Sequence, residues 1–268
     1  MGCIDSKFKY EERQANAIAA FVHHAIDGKV DELAKAIKKD RKKVVGIDRF
    51  GMTALHWACY VGQLQSVIAL CEAGAVPTQV DNNQRNALHH ACRKGRLNVV
   101  DHLTSLCGMN VNCQSGNGDT PLHKAVLAPS VPVALLLLKY GADKHLPNTY
   151  GRTPASEVQT RLGKGNGAAT IPEEAEPDLD QVFTLAGGTL PWEDTAVVPF
   201  DQTLPQNTTT TLASPRVAAS DETPLTSLTG YDLLDAIFSL HDLVLTRDQG
   251  ATVQFQQLVA THCFVALS

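Results

Sequence analysis

Gly51-Met-Thr-Ala-Leu-His-Trp-Ala-Cys59 is answered by Gln84-Arg-Asn-Ala-Leu-His-His-Ala-Cys92 and again by Gly118-Asp-Thr-Pro-Leu-His-Lys-Ala-Val126. A shorter fourth copy opens at Gly151-Arg-Thr-Pro154. The threonine-type position falls at Thr53, Asn86, Thr120 and Thr153, a period of 33, 34 and 33 residues. Self-similarity at that period marks stacked units, each too small to bury its own apolar face. The local chemistry agrees. A threonine hydroxyl or an asparagine amide oxygen at this position can cap a helix starting one residue later. Pro121 and Pro154 fall in the first turn, where a missing N–H costs nothing. Leu55, Leu88 and Leu122 are expected in the core. His56, His89 and His123 are expected to hydrogen-bond within and between units.

Further punctuation keeps the same phase. Six residues after each histidine comes a turn, at Gly62, Gly95 and Pro129, and twelve or thirteen residues later a second glycine, at Gly74, Gly108 and Gly141. Turn-forming runs precede each new copy: Asp81-Asn-Asn83, Gly116-Asn117 and Asn148-Thr-Tyr150. Together these residues resemble the Gly-x-Thr-Pro-Leu-His-x-Ala-Ala signature of ankyrin repeats. The resemblance implies an all-α repeat solenoid, with a hairpin turn and two antiparallel helices per repeat. It divides the array, 14–162, into a cap (14–48), repeats 49–81, 82–114 and 115–148, and a C-terminal half repeat (149–162). The cap lacks Thr-Pro-Leu-His but keeps an apolar helix from Ala15 to Ile26, a turn at Asp27-Gly28 and an amphipathic helix from Val30 to Lys39. Terminal repeats of an array are expected to carry such a polar outer face. Repeat four replaces the glycine turn with Pro129 and Pro132, which can start the helix continuing as Val133-Ala-Leu-Leu-Leu-Leu-Lys139.

The net charge of −5 conceals two different halves. Residues 1–162 carry 20 Lys and Arg against 14 Asp and Glu, and residues 163–268 carry 3 against 14. Segment 163–228, with its Thr tract at 208–211, is poor in apolar residues and reads as a disordered acidic linker. Periodicity returns in 229–268: Tyr231, Leu234, Ile237, Phe238 and Val244 predict an amphipathic helix from Thr229 to Leu245, and a second is expected over Ala251 to Leu267. These C-terminal helices have three possible roles: docking on the array, binding a partner, or forming transiently.

The chain opens Met1-Gly-Cys-Ile-Asp-Ser6-Lys7, which fits the signal for N-myristoylation of Gly2, with Cys3 placed for palmitoylation. Residues 1–13 are therefore expected to be a lipidation segment. One myristoyl chain binds membranes marginally, with a partition constant of roughly 10⁴ M⁻¹, so a second acyl chain on Cys3 would make attachment stable. The Lys38 to Lys43 run could add attraction to anionic lipid. No apolar run approaches the length of a spanning helix, and the polar first residues do not read as a secretory signal. The seven cysteines (3, 59, 71, 92, 107, 113 and 263) show no paired framework and are expected as free thiols.

No motif for catalysis is found, and no cofactor or metal is expected. His56 with Cys59, and His89 with Cys92, have metal-like spacing, but in a stack they would lie one above another, and the cysteines sit where the family usually has alanine. A protein partner, rather than nucleic acid or a small-molecule substrate, is expected. The resemblance places the partner on the hairpin tips and the exposed face of the first helices. Those positions are Arg49, Phe50, Met52, Tyr60 and Val61, then Asn82, Asn83, Arg85, Arg93 and Lys94, then Asn117, Asp119 and Leu127, and last Tyr150 and Arg152. The reading is a non-enzymatic adaptor held at the cytoplasmic face of a membrane, the plasma membrane being the expected one. The alternative is a soluble cytoplasmic regulator, or inhibitor of an enzyme partner, autoregulated by its acidic tail.

Overall fold

A computed structural model describes residues 18–163, 228 and 230–264. Gly2, Cys3, nearly all of the acidic linker and residues 265–268 lie outside the described residues. Helix α1 spans 18–26 and buries Phe21, Val22, Ala25 and Ile26. Helix α2 (Val30–Lys39) begins with Asp31 and Glu32 and ends with Lys38 and Lys39, charges that complement its dipole. A 3₁₀ turn (Arg41–Val45) follows, started by Asp40 accepting the Lys42 amide at 3.1 Å.

Each later unit is a pair of short antiparallel helices: α3 (Ala54–Val61) with α4 (Leu64–Glu72), α5 (Ala87–Arg93) with α6 (Leu97–Ser105), and α7 (Pro121–Leu127) with α8 (Val131–Lys139). Helix α9 (Pro154–Arg161) is the first helix of an incomplete unit. The inner layer runs α3, α5, α7, α9 and the outer layer α4, α6, α8, with Leu55, Trp57, Leu88 and Leu122 buried between them. Among the described residues there is no strand. The hairpins are reduced to isolated antiparallel bridges at Ile47–Thr53 and Val80–Asn86.

Helix α8 is buried on all sides from Val133 to Leu138. A helix that is apolar all round must be covered all round, and two C-terminal helices cover it. Helix α10 (Gly230–Leu245) packs on α8 and α9 through Leu233, Leu234, Ile237 and Phe238. Each such side chain taken from water contributes roughly 1.5–3 kcal/mol. Helix α11 (Gln249–Val259) packs back on α10 and α8. It starts two residues before the expected Ala251, because the Asp248 carboxylate accepts the Ala251 amide at 2.8 Å and fixes the cap. A π-helical turn (Ala260–Phe264) ends the described tail, with the Cys263 thiol 3.4 Å from the Pro132 carbonyl. Of the three roles open to this segment, docking on the array is the one the structure displays.

Docking leaves a cavity of about 810 Å³ between the tail and the end of the array. Leu138, Ala142, Lys144, His241 and Phe255 are among its lining residues. His241 is buried there with no hydrogen-bond partner at Nδ1.

Candidate protein-binding surface

The signature histidines brace the units, and His89 and His123 reach into the next one. The Thr53 amide donates to His56 Nδ1 at 3.1 Å, while the His56 amide donates back to the Thr53 hydroxyl at 3.4 Å. His56 Nε2 lies 2.9 Å from the Gln79 carbonyl, in the approach to the following repeat. An amide can only donate and a carbonyl can only accept, so the ring is the neutral form with its proton on Nε2. His89 repeats the arrangement with the Asn86 amide (3.3 Å) and the Asp119 carbonyl (3.0 Å), and His123 with the Thr120 amide (3.0 Å) and the Arg152 carbonyl (2.9 Å). Burial, the largest influence, holds His56 down at about 4 and His89 at about 3, and it lowers His123 as well. In the half repeat Ser156 takes the histidine's place, giving the cap of Thr153 without a reach onward.

These bonds spend both ring nitrogens of each histidine. Cys59 and Cys92 are wholly buried, and burial pushes their thiols well up. Neither His–Cys pair is arranged as a ligand set.

A carboxylate or amide builds three of the hairpin tips, and in the fourth the Ser115 hydroxyl accepts the Asp119 amide at 3.2 Å. Asp48 Oδ1 accepts the amides of Phe50 (2.8 Å) and Met52 (2.9 Å). Asp81 Oδ1 does the same for Asn83 and Arg85, and Asn148 Oδ1 for Tyr150 and Arg152. The other oxygen of each aspartate is read by the residue after the signature histidine. Trp57 Nε1 donates to Asp48 at 2.8 Å, and His90 Nε2 meets Asp81 at 3.0 Å. In repeat four Lys124 donates instead to Asp119 at 2.9 Å. Burial alone would raise Asp81, but hydrogen bonds from His90 and the Arg85 amide, with the Arg85 charge, hold its carboxyl far below the usual range. For Asp119 the Lys124 ammonium likewise outweighs burial.

The tips then bond to one another. The Asn82 amide donates to the Phe50 carbonyl (3.1 Å), the Gly116 amide to the Asn83 carbonyl (2.9 Å) and the Thr149 amide to the Asn117 carbonyl (3.0 Å). Four tips thus form one continuous, hydrogen-bonded row.

The residues expected to meet a partner divide along this row. Arg49, Asn82, Asn83 and Tyr150 are exposed, Tyr150 at 56%. Phe50, Val61, Lys94, Asn117, Leu127 and Arg152 are half-buried. Arg49 lies over the Phe50 ring (4.7 Å) and Lys94 over the Tyr60 ring (4.7 Å). The remaining five are corrected by their surroundings. Met52 is fully enclosed in the core. Arg85, 4% exposed, is bound through Nε to Asp81 at 2.9 Å. Arg93 is 6% exposed, Tyr60 packs edge-on against Trp57 and His90, and Asp119 is held by Lys124 and the Asn148 amide. The exposed row is therefore less basic than the sequence alone suggests.

Two residues on this side were not anticipated. Ile47 and Val80, 53% and 39% exposed, each stand one place before the turn aspartate. Their signal was a β-branched residue recurring at the repeat period just ahead of Asp48 and Asp81. The Lys38 to Lys43 run is largely exposed, and its Arg41 Nε donates to the Ala73 carbonyl at 3.0 Å.

Comparison with known proteins follows this geometry. Residues 17–115 match a family model of ankyrin repeats in three copies, and residues 106–156 match a second ankyrin model of many copies. The B-cell lymphoma 3 protein homolog of Mus musculus is 32% identical over 178 residues, covering 64% of this chain and 37% of the relative. BCL-6 corepressor-like protein 1 of Homo sapiens is 31% identical over 121 residues, 45% of this chain and 7% of the relative. The photoreceptor ankyrin repeat protein of Homo sapiens is 40% identical over 90 residues, 32% of this chain and 20% of the relative. The chain thus spans well under half the length of each. Two repeat models covering 17–156, together with four hairpin tips capped and bonded in one register, show that the chain belongs to the ankyrin repeat family.

Proposed function

We propose that this chain is a non-enzymatic adaptor or regulator that binds a protein partner along its row of hairpin tips. The tip-to-tip hydrogen bonds carry the reading. They fix Arg49, Phe50, Asn82, Asn83 and Tyr150 in one line before any partner arrives. A preorganised surface loses little freedom on binding, and arginine and tyrosine are favoured contact residues. Exposed Ile47 and Val80 add apolar area beside the tips. The matched relatives include a protein named as corepressor-like, which agrees with a regulatory role. Proximity labelling with the full chain tests the reading. Changing Arg49, Phe50 and Tyr150 together to alanine is expected to remove partners labelled by the wild type. An unchanged set of partners would reject the tip row as the binding face.

The proposal includes a tether at the cytoplasmic face of a membrane through acyl chains on Gly2 and Cys3. Its support is the Met-Gly-Cys-x-x-Ser-Lys opening and the two-chain energetics. Feeding alkyne-myristate and fractionating cells tests it. Gly2→Ala is expected to lose label and move to the soluble fraction; equal partition of variant and wild type would refute the tether.

A second reading, a soluble regulator governed by its own tail, draws on one observation: α10 and α11 dock on α8 and α9. Those helices cover α8 and α9 at the end of the array. Under this reading, loosening the docked tail with Asp242→Ala strengthens partner capture. Under the adaptor reading, capture is unaltered.

A further inference from the structure

Three side chains with metal-binding atoms meet on the outer layer, away from the tips. Cys71 ends α4 within its last turn, His102 lies on α6, and Cys107 follows α6. Their ligand atoms all lie within 4.8 Å of one another, and each residue is half-buried. None takes part in the caps, the tips or the tail contacts described above. The backbone holds two of them in fixed relation: the amides of Leu106 and Cys107 both donate to the His102 carbonyl, at 3.0 and 3.2 Å. The third comes from the neighbouring repeat.

We propose that Cys71, His102 and Cys107 form a zinc site that staples repeat two to repeat three across the outer helices. Two thiolates and an imidazole are a zinc-type donor set, with water in the fourth position. Zn–S bonds of about 2.3 Å and Zn–N bonds of about 2.0–2.1 Å place tetrahedral ligand atoms roughly 3.5–3.8 Å apart. The observed spread needs about an ångström of side-chain closure, within reach of rotamer adjustment at a half-buried surface. Binding releases the two thiol protons to solvent and leaves the ion at +2, so no oxidant or reductant is required. Zinc binds the thiolate, so each thiol gives up its proton as the ion arrives. Half-burial gives an ion a path in while excluding most competing water.

The nearest rival is a redox pair, in which Cys71 and Cys107 close a disulfide and His102 is a bystander. A cobalt titration separates the two. The full-length chain is reduced with a phosphine, stripped with a chelator and titrated with Co²⁺. The proposal predicts uptake of a single equivalent, with tetrahedral d–d bands and a thiolate-to-cobalt charge-transfer band, both bleached by Zn²⁺. Cys71→Ala and Cys107→Ala each lose the charge-transfer intensity, His102→Gln weakens uptake, and Cys113→Ala changes nothing. Urea midpoints taken without metal check that each variant folds. If one does not, Zn²⁺ slowing amide exchange at 69–72 and 102–107 in the wild type supplies the same test. Absence of thiolate–cobalt bands, bands that survive Cys71→Ala, or full uptake by His102→Gln would overturn the site.

Discussion

The Lys144 ammonium, only 2% exposed, lies 2.7 Å from the Asp242 carboxylate, and it also donates to the Phe238 carbonyl. His145 meets the same carboxylate at 3.2 Å. A lysine in the loop after α8 is thus buried by a helix nearly a hundred residues later in the chain. The Phe238 ring lies over the same ammonium, 5.8 Å to its centre. Around this point Tyr231 Oη donates to the Leu127 carbonyl (3.3 Å), Gln159 donates to Asp235, and Arg161 covers the Tyr231 ring. The tail completes the last, incomplete unit by covering α8 and α9.

The two partners of this pair should respond unequally. Asp242→Ala strands an ammonium under α10, whereas Lys144→Met removes the charge and keeps an apolar stem. A buried charge without its partner is costly, while a shape-matched apolar replacement is often neutral. Asp242 is itself half exposed, so solvent moderates the loss. Asp242→Ala is expected to cost about 1–2 kcal/mol and to speed amide exchange across 230–264. Lys144→Met is expected to cost less than Asp242→Ala. Equal exchange in Asp242→Ala and wild type would contradict the docking contact.

Acid should weaken the array in two separate windows. His56, His89 and His123 are held below their ordinary value in the folded chain, with His56 at about 4 and His89 at about 3. The unfolded chain, titrating near 6.5, then binds more protons than the folded one as pH falls below that value. Stability from these rings is full above about pH 6.5 and is lost as pH drops toward their folded values. On the order of 1–2 kcal/mol for each of His56 and His89 should be gone by about pH 5, with a further loss from His123. Asp81, a lowered carboxylate, keeps its contribution until pH falls below its ordinary range near 3.8, and loses it beneath that. Urea midpoints at about pH 7 and pH 5 check the first window; equal midpoints would contradict neutral, buried histidines.

Repeat three carries two irregularities that point to stabilising changes. Gln84 has φ 58°, where Gly51, Gly118 and Gly151 sit at 74°, 74° and 72°. The neighbouring tip makes room for it. A Cβ on Gly51 would meet Asn82, and one on Gly118 would meet Thr149, but the residue facing Gln84 is Gly116. Gln84→Gly should therefore stabilise by about 0.5–1 kcal/mol, from release of left-handed strain. Gly116→Ala should destabilise, because its Cβ would lie 3.0 Å from the Asn83 carbonyl, which is backbone and cannot swing away. The cap offers a second gain. Asn86 Oδ1 faces His89 Nδ1 at 2.8 Å, two acceptors opposed, where Thr53 and Thr120 offer a hydroxyl that can donate. Asn86→Thr is expected to add several tenths of a kcal/mol. Thermal melts of the three variants decide these points.

Which features were legible in the sequence follows from the range of the forces involved. The caps at Thr53, Asn86, Thr120 and Thr153 were readable because a side chain and a backbone amide three residues on settle them. The apolar run of α8 was readable, but not that α10 and α11 would cover it. Arg85 and Arg93 looked like surface cations; their burial depends on Asp81, His90 and the packing of two repeats. Lys144 looked ordinary until Asp242 reached it. The pairs His56–Cys59 and His89–Cys92 drew attention by spacing alone, whereas Cys71, His102 and Cys107 come together only once outer helices of adjacent repeats stack. Local rules fix the units, and contacts between units decide which polar residues remain outside.

The tip row as a binding face is tested most directly by site-specific photo-crosslinking in cells. A photoreactive residue replaces Asn83 or Tyr150 on the tips, or Leu106, which is 77% exposed on the outer layer. The account predicts that Asn83 and Tyr150 crosslink to the same partner protein and that Leu106 does not. Adducts to that partner from Leu106, with none from either tip position, would contradict it.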